Sequence, residues 1–380
     1  MMDRRTMLAL GATAGAAAAL GPAVAARADD RTRKLTVWLT QQHMQKLKHR
    51  LAKSDQPQAS ASARLLAGVR AKDLTRAADD TPVQPEFYVG PYYETPPELL
   101  DLSYRFRGDA HAAYRLALQA TLESDRQLAA ASRSLILRWS ALTDLSTDDD
   151  TPLVWSNQFP EFCFAAELLR RTSSVWNRAD EATFTDLIRR GAILDTSART
   201  NNWGSWGVVL RMATASYVGD LVGLESATDR WRELFDSQFD ERGWQPAEIT
   251  RNNGTGNRGI CYSHFNLHPL TIAAQMALIN GIDLFGHRNP SGVGIGDAFR
   301  VLMRWTKDPT EFSRDTGLWP ETYEAYRANG SPPSYNYGYG EILQQHFPDP
   351  VFVELATVDR PLSFNWAGSL LTFTHGQGLA

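Results

Sequence analysis

One part of the chain, Glu248-Ile249-Thr250-Arg251 followed by Arg258-Gly259-Ile260-Cys261-Tyr262-Ser263-His264-Phe265-Asn266-Leu267-His268-Pro269-Leu270, gathers an acid, two arginines, a tyrosine, two histidines and an asparagine. Proline lacks a backbone N–H and clashes inside a helix. The apolar run 270–279 is therefore predicted as a helix that begins near His268. Tyr262 and His264 would then precede a helix N-terminus, which favours anions. The alternative is a core helix behind a hydrogen-bonded loop.

Helical spacing of apolar residues recurs on both sides of this stretch, whereas strand-like alternation is scarce. Helices of about 12 to 18 residues separated by short loops are typical of helical hairpins. The sequence therefore predicts an all-α fold. The predicted helices are 35–51, 60–77, two between 110 and 142 that separate near Glu123-Ser124, one opened by Trp155 to Pro160 and ending near 171, 181–194, 206–218 closed by Gly219, and 361–374.

The segment from Thr81 to Pro97 is rich in proline and aromatic residues and fits no regular element. Long loops inside a globular chain usually have a function, so this one is predicted as a lid or a sugar-stacking wall. Tyr92 and Tyr93 are its candidate binding residues, and Asn157 is a further candidate on the helix that follows. The alternative is a loop fastened to the core by its aromatic side chains.

Composition limits the possible partners. The chain has 380 residues, of which 43% are hydrophobic and 22% charged, with a formal net charge of -4. This balance argues against a general nucleic-acid binder, which is usually basic. An acidic ligand would have to be held by a local group of arginines rather than by the field of the whole protein.

The N-terminus pairs Arg4 with Arg5 before a weakly apolar Ala/Gly-rich run that ends at small residues near Ala28. This pattern resembles a twin-arginine export signal. Residues 1–28 are therefore predicted as a signal and 29–380 as a single domain of a secreted protein, either extracellular or at the cell envelope. The apolar run is shorter than the roughly 20 residues that a membrane-spanning helix needs.

Cys163 and Cys261 are the two cysteines, and neither lies in a metal-ligand spacing. Two small buried thiols are favoured over a disulfide, although the sequence leaves both possible. No metal-binding motif is present, so we predict no catalytic metal and no cofactor.

Asn201 and Asn202 lie at the start of a predicted helix, followed by Trp203 and Trp206. An asparagine there can cap the helix, and one of the two is expected to do so. The other would place a polar amide at the same helix-end cleft as the stretch around Tyr262.

Three blocks together resemble the alginate lyases of polysaccharide lyase family five and their wider relatives with an alginate-lyase domain. The first is Asn201 to Trp206, where the family has Asn-Asn-His and then tryptophan. The second is Gly243 to Arg251 with Tyr262 to Leu270. The third is Trp319-Pro320-Glu321, and Gly90 to Tyr93 resembles the lid of relatives.

The resemblance implies an α/α toroid, an incomplete barrel of helical hairpins, with a groove for an acidic polysaccharide. It implies that Asn202 and Arg251 neutralise a uronate carboxylate and that Tyr262 transfers protons in a β-elimination. Aimed donors are needed because the C5 hydrogen is weakly acidic, and an arginine would help a phenol with a pKa of about 10 to ionise. The other implied binding residues are Asn201, Trp203, Trp206, Glu248 and Trp319.

Two departures from the family pattern affect this expectation. The family histidine is Trp203 here, and residues 252–257 resemble an insertion before Tyr262. Arg258 is therefore a candidate to replace or assist Arg251, and His264 and His268 are candidates to compensate for the missing histidine if the loop folds them into the groove. A tryptophan at position 203 is expected to stack on a sugar and alter which uronate is accepted.

Two other functions remain open at this point. A glycoside hydrolase on the same fold would use two carboxylates, with Glu248 and Glu321 as the candidates. An exported glycan-binding protein that has lost activity with the histidine is the other. In each case the expected partner is an acidic polysaccharide or glycan, and the chain is expected to be a monomer.

Overall fold

The computed structural model describes residues 34–251, 258–318 and 337–379. The predicted signal 1–28, the insertion 252–257, and the candidates Trp319 and Glu321 lie outside the described residues. The body that begins at Leu35 is described below.

Helices account for most of the described residues, as predicted. The only strand pairing between named elements in the described ranges joins two residues on each side, β1 (Glu86–Phe87) and β2 (Asp144–Leu145), in parallel. The helices are α1 (Gln41–Ala52), α2 (Gln58–Leu65), α3 (Arg70–Ala78), α4 (Asp101–Glu123), α5 (Arg126–Trp139), α6 (Thr151–Thr172), α7 (Arg178–Gly191), α8 (Asn202–Val218), α9 (Leu221–Gln238), α10 (Pro246–Ile249), α11 (Arg258–Ile279), α12 (Ile295–Lys307), α13 (Pro309–Thr316), α14 (Gly340–His346), α15 (Pro350–Asp359) and α16 (Leu371–His375).

Local signals end and restart several of these helices. Ser124 adopts the left-handed conformation after α4, and the side chain of Asp125 accepts the first N–H groups of α5. Gly219, with φ of 77°, closes α8 as predicted, because glycine adopts this conformation without a Cβ clash. A connection of two residues folds each following helix back on the previous one as a helical hairpin.

A row of long helices forms the interior. Helix α4 packs against α6, α6 against α8, and α8 against α11, and all four are buried along most of their lengths. Helices α5 and α9 lie on the outside of this row. The predicted all-α fold of helical hairpins is confirmed.

The prediction that a helix begins near His268 is wrong, because α11 begins at Arg258 and continues through Pro269. Helix α6 likewise begins at Thr151, before the predicted opening, and contains Pro160. An internal proline costs a helix about 3 kcal/mol. Both helices are buried on nearly all sides, and the free energy of burying their apolar side chains offsets that cost.

The prediction of a final helix over 361–374 is also wrong, because only Leu371–His375 is helical. Residues 361–370 form a loop that crosses α6 and α11. Its backbone is hydrogen-bonded to side chains of these helices, so tertiary contacts replace the helical hydrogen bonds. We call this segment the crossing loop.

In the described parts of the chain, no helix combines the length and apolar character needed to cross a membrane.

Candidate active site

A groove of about 790 Å³ opens between the lid segment and the interior helices. Its walls come from α4, α6, α8 and α11, from Arg251 and from the crossing loop. The lining residues are Tyr92, Tyr93, Ser103, Arg107, Asp150, Leu153, Val154, Asn157, Gln158, Asn202, Trp203, Arg251, Arg258, Cys261, Tyr262, Phe265 and Trp366.

Helix α11 supplies one face of the groove. Arg258, Cys261, Tyr262 and Phe265 are spaced by three, four and seven residues, so they lie on one side of the helix. The earlier start of α11 is what aligns them. Tyr262 therefore reaches the groove from within a helix rather than from a loop before a helix N-terminus.

The start of α8 supplies the second face. Both carboxylate oxygens of Glu248 accept hydrogen bonds from Asn202 Nδ2, at 3.0 and 2.9 Å, and Oε1 also accepts the Asn202 backbone N–H. Arg251 Nε donates to Glu248 Oε2 at 3.3 Å. Burial raises the pKa of Glu248, although Arg251 and Asn202 favour its charged form. Glu248 thus fixes the positions of the two candidate carboxylate-binding residues.

Tyr262 lies where these faces meet. The guanidinium of Arg251 is centred 5.0 Å from the ring of Tyr262, and the hydroxyl of Tyr262 is hydrogen-bonded to the hydroxyl of Tyr93. Burial raises the pKa of Tyr262, and the bond to Tyr93 raises it further, whereas Arg251 and Arg258 oppose the rise. The phenol is therefore protonated at neutral pH when the groove holds no ligand.

The lid segment closes over Tyr262 through one tyrosine. Arg258 Nη1 donates to the hydroxyl of Tyr93 at 3.1 Å, while Tyr93 keeps 70% of its surface exposed. Tyr92 packs edge-on against Tyr104, and its backbone N–H donates to Asp150 at 2.7 Å. Both predicted lid tyrosines line the groove.

Arg258 and Arg107 make no ion pair with a carboxylate in the described segments of the chain, although both line the groove. Arg107 instead lies over the ring of Tyr104, 5.0 Å from its centre. With Arg251 they give the groove a positive wall in a protein whose net charge is -4. This is the local arginine group that the composition required of a protein with an acidic ligand.

Sequence reasoning missed Arg107, Gln158 and Trp366. Arg107 lies just before the helices that were predicted between 110 and 142, and Trp366 lies within the stretch 361–374 that was predicted as helical. Gln158 adjoins the predicted Asn157, and both side chains are buried at the groove. No local signal distinguishes these residues, because the groove joins segments that are far apart in sequence.

Four predicted residues lie elsewhere. His268 is fully buried, and its Nε2 is hydrogen-bonded to the backbone oxygen of Ala367. His264 is fully buried on another side of α11, where its ring nitrogens are hydrogen-bonded to Tyr339 and Thr306, so it does not replace the missing histidine in the groove. Trp206 is fully buried and packs behind Phe265. Asn201 caps α8 by accepting the N–H of Trp203, as its alternative structural role predicted. Trp203 itself does line the groove, with Arg199 5.5 Å from its ring centre.

The buried histidines of α11 predict that acid destabilises the protein. Burial lowers the pKa of His264 to about 3 and that of His268 to about 4. Below pH 6.5 the unfolded chain binds protons that the folded protein does not. The free energy of unfolding should then fall by about 2 kcal/mol per histidine between pH 6.5 and 5.

Urea unfolding at pH 7 and pH 5 measures this loss. His264→Gln should be less stable than the parent at pH 7. Its free energy of unfolding should fall less between pH 7 and pH 5, because it lacks one of the two buried histidines. An equal loss in the variant and the parent would contradict the assignment.

Within the described residues, no three or more histidine, cysteine or acidic side chains are grouped to hold a metal ion. Cys163 and Cys261 are not joined by a disulfide. Cys163 is buried, as the favoured prediction of two buried thiols had it. Cys261 is only half-buried, at the groove.

A family model and individual relatives match different shares of the chain. The alginate lyase family model matches residues 52–312. Alginate lyases of Pseudomonas fluorescens (strain SBW25) and Cobetia marina are 32% and 36% identical to it over 132 residues. Each match covers 31% of this chain and 30% of the relative, so these alignments span less than a third of those relatives' length.

A solved structure resembles it over most of both chains. A tyrosine-to-phenylalanine variant of alginate lyase A1-III, complexed with a tetrasaccharide, has a TM-score of 0.72 at 18% identity and covers 89% of this chain and 95% of that one. At this identity the likeness shows the fold, and the predicted α/α toroid is confirmed.

Proposed function

The chain belongs to the alginate lyase family, and from that premise we propose that it is a polysaccharide lyase that cleaves an alginate-type polyuronate by β-elimination. One observation carries the proposal: the hydroxyl of Tyr262 lies in the groove with Arg251 at its ring and Arg258 nearby. A proton-transfer group thus adjoins cations suited to a carboxylate.

Arg251 and Arg258 are placed to assist removal of the C5 proton, which is the difficult step of the elimination. The C5 hydrogen of a uronate is weakly acidic, so its removal requires that negative charge developing on the carboxylate be stabilised by groups already in place. Arg251 is held by Glu248, and Arg258 has no competing ion pair among the described residues. We propose that these two arginines bind the carboxylate of the reacting sugar.

Asn202 has a different part in this proposal from the one that the family pattern implied. Its amide nitrogen is engaged by both oxygens of Glu248, while its buried Oδ1 has no hydrogen-bond partner among the described residues. In this orientation Asn202 offers an acceptor rather than a donor. Its main contribution is to hold Glu248, and through Glu248 to hold Arg251.

Tyr262 is the proposed proton-transfer group. With the substrate carboxylate neutralised by Arg251 and Arg258, the hydroxyl of Tyr262 would lose its proton to solvent, and the resulting phenolate would take the C5 proton. The phenol formed in this step would then give that proton to O4 as the C4–O4 bond breaks. His264 cannot share this work because it is buried, and Trp203 has no titratable group. Since burial raises the pKa of Tyr262, we expect kcat/KM to rise with pH through the alkaline range, as initial rates would measure.

The relatives support the substrate class. The curated relatives are named alginate lyases, and the solved A1-III variant holds a tetrasaccharide. The arginine-lined groove is large enough for several sugar rings and has the charge that such a polymer needs. Trp203, where the family pattern has histidine, is proposed to stack on a ring and affect which uronate is preferred.

Glu248 does not suit the acid role that the hydrolase alternative gave it. A hydrolase requires a carboxyl group that can donate a proton to the substrate, but Glu248 is buried and its two oxygens accept from Asn202 and Arg251. Glu248 therefore positions other residues.

The remaining expectations are part of the same proposal. Residues 1–28 would direct export by the twin-arginine route, and residues 29–380 would act as one domain and as a monomer. N-terminal sequencing of the exported protein would test the first, and light scattering the second. A mature protein that begins at Met1 would contradict export by cleavage.

The test of function follows two products on the same substrates. The protein is incubated with polymannuronate, polyguluronate, glucuronan and hyaluronan, and both ultraviolet absorbance of the unsaturated uronate and new reducing ends are measured. We expect both to rise together. Reducing ends without absorbance would indicate a hydrolase, and binding without either product would indicate a glycan-binding protein.

A further inference from the structure

Part of the groove has no role in the elimination chemistry proposed above. Asn157 and Gln158 on α6 line it together with Trp366 of the crossing loop. These residues lie close to the reacting centre, because Trp366 packs on Phe265 with ring centres 4.7 Å apart, and Phe265 in turn packs on Tyr262.

Two buried amide oxygens lack a donor there. Asn157 and Gln158 are 4% and 3% exposed, and neither Asn157 Oδ1 nor Gln158 Oε1 has a hydrogen-bond partner among the described residues. Gln158 Nε2 donates to the backbone oxygen of Asn365 at 2.9 Å, so the oxygen is the end left for a ligand. Buried polar atoms nearly always have a partner. Two unpartnered acceptors at one groove can therefore accept hydrogen bonds from the donors of a ligand.

Trp366 adds an apolar surface that is held in place. Its half-buried ring rests against Phe265 and Phe364. The next residue, Ala367, donates its N–H to the backbone oxygen of Asn157 at 2.8 Å, and its own oxygen is 2.7 Å from His268 Nε2. The crossing loop thus fixes the backbone beside Trp366 to both α6 and α11.

Two more contacts hold the loop beyond Ala367. The N–H of Ser369 donates to the buried carboxylate of Glu161 at 3.0 Å. Gly368 has φ of +88°, and a Cβ there would lie 2.7 Å from Ile272 Cδ1, so the loop lies closer to α11 than other residues allow. A ring fixed before binding loses little entropy when a ligand stacks on it.

We propose that Asn157, Gln158 and Trp366 form a sugar subsite that holds the ring next to the reacting uronate, by stacking on Trp366 and by hydroxyl donation to the two amide oxygens. The proposal rests on the function proposed above. Gln158 Nε2 is already bonded to Asn365, and the oxygen that remains accepts but does not donate, so Gln158 suits a hydroxyl group rather than a carboxylate. The subsite is therefore proposed to bind the hydroxyl groups of the sugar, while the arginines bind its carboxylate.

The first experiment measures binding without turnover. Calorimetric titration of a mannuronate tetrasaccharide and a guluronate tetrasaccharide into Tyr262→Phe gives the reference affinities. In that background, Trp366→Ala and Asn157→Ala should each weaken binding of the preferred oligomer by about 2- to 10-fold, the range for one stacking contact or one neutral hydrogen bond. Trp366→Phe should retain most of the affinity. Asn365→Ala is the matched control, because its side chain is exposed and only its backbone oxygen is used.

The second experiment separates contact with the sugar from disturbance of the loop. Chemical O-acetylation of the same tetrasaccharide removes its hydroxyl donors. It should weaken binding to Tyr262→Phe more than to the Tyr262→Phe/Asn157→Ala double variant, since the variant has lost an acceptor. Equal weakening in both proteins, or unchanged affinity in both Trp366→Ala and Asn157→Ala, would overturn the subsite.

Binding and cleavage measured together distinguish failure of the lyase proposal from failure of the subsite. A parent protein that binds the tetrasaccharide through these residues but produces no absorbance contradicts the lyase and retains the subsite. A parent that cleaves polyuronates while the variants bind normally contradicts the subsite alone. Absence of binding to both tetrasaccharides would overturn the subsite, whatever the activity.

Discussion

Tyr262→Phe is expected to lower kcat by about 10²- to 10⁴-fold, the usual range for loss of a group that transfers a proton in the transition state. The substitution removes one oxygen and keeps the ring that packs against Phe265 and below Arg251. KM should change much less than kcat, because the arginines that bind the carboxylate remain. Initial rates from the absorbance of the unsaturated product measure both constants.

Tyr92→Phe is the matched control for this prediction. Tyr92 also lines the groove, but its ring packs edge-on against Tyr104. It should retain kcat to within a few-fold. Full activity in Tyr262→Phe would show that another group removes the proton, even if the protein is a lyase.

Arg251→Ala is expected to lower kcat/KM by about 10²- to 10³-fold, comparable to the loss of one preorganised donor that stabilises developing negative charge. Arg251 is held by the buried Glu248, so the site loses a positioned cation, and Asn202 is the partner that Glu248 keeps among the described residues. Arg251→Lys should recover part of the activity, since it restores the charge without the planar guanidinium. The assay is the same initial-rate measurement.

Arg242→Ala is a suitable control because Arg242 also stacks on an aromatic ring, that of Trp244, but does not line the groove. It should leave kcat/KM nearly unchanged. Arg258→Ala tests whether Arg258, which follows the apparent insertion 252–257, binds the carboxylate in place of Arg251. A larger loss in Arg258→Ala than in Arg251→Ala would mean that Arg258 is the main carboxylate ligand.

Much of the fold follows from short-range patterns. The break between α4 and α5 was predictable, because a left-handed residue followed by a capping aspartate stops one helix and starts the next. The end of α8 at Gly219 followed from the same kind of signal. Resemblance to family motifs singled out Arg251, Tyr262 and Asn202, and all three line one groove.

Other parts depended on contacts that are remote in sequence. The rule that proline ends a helix failed at Pro269, because it describes a helix in isolation whereas α11 is surrounded by other helices. That error displaced the predicted helix start by ten residues. It also hid which side chains share a face of the helix, and so His264 was wrongly expected in the groove.

The sequence by itself determined that this chain folds into helical hairpins and carries a tyrosine, arginines and an asparagine suited to a uronate, because spacing, caps and motifs are local properties. Only the tertiary structure decided that Arg258, Tyr262 and Phe265 face the groove together, that Glu248 holds Arg251 and Asn202, and that Trp366 joins them from a loop near the C-terminus. Those arrangements depend on how the faces of α6, α8 and α11 are buried against one another, and burial is a property of the whole packed chain.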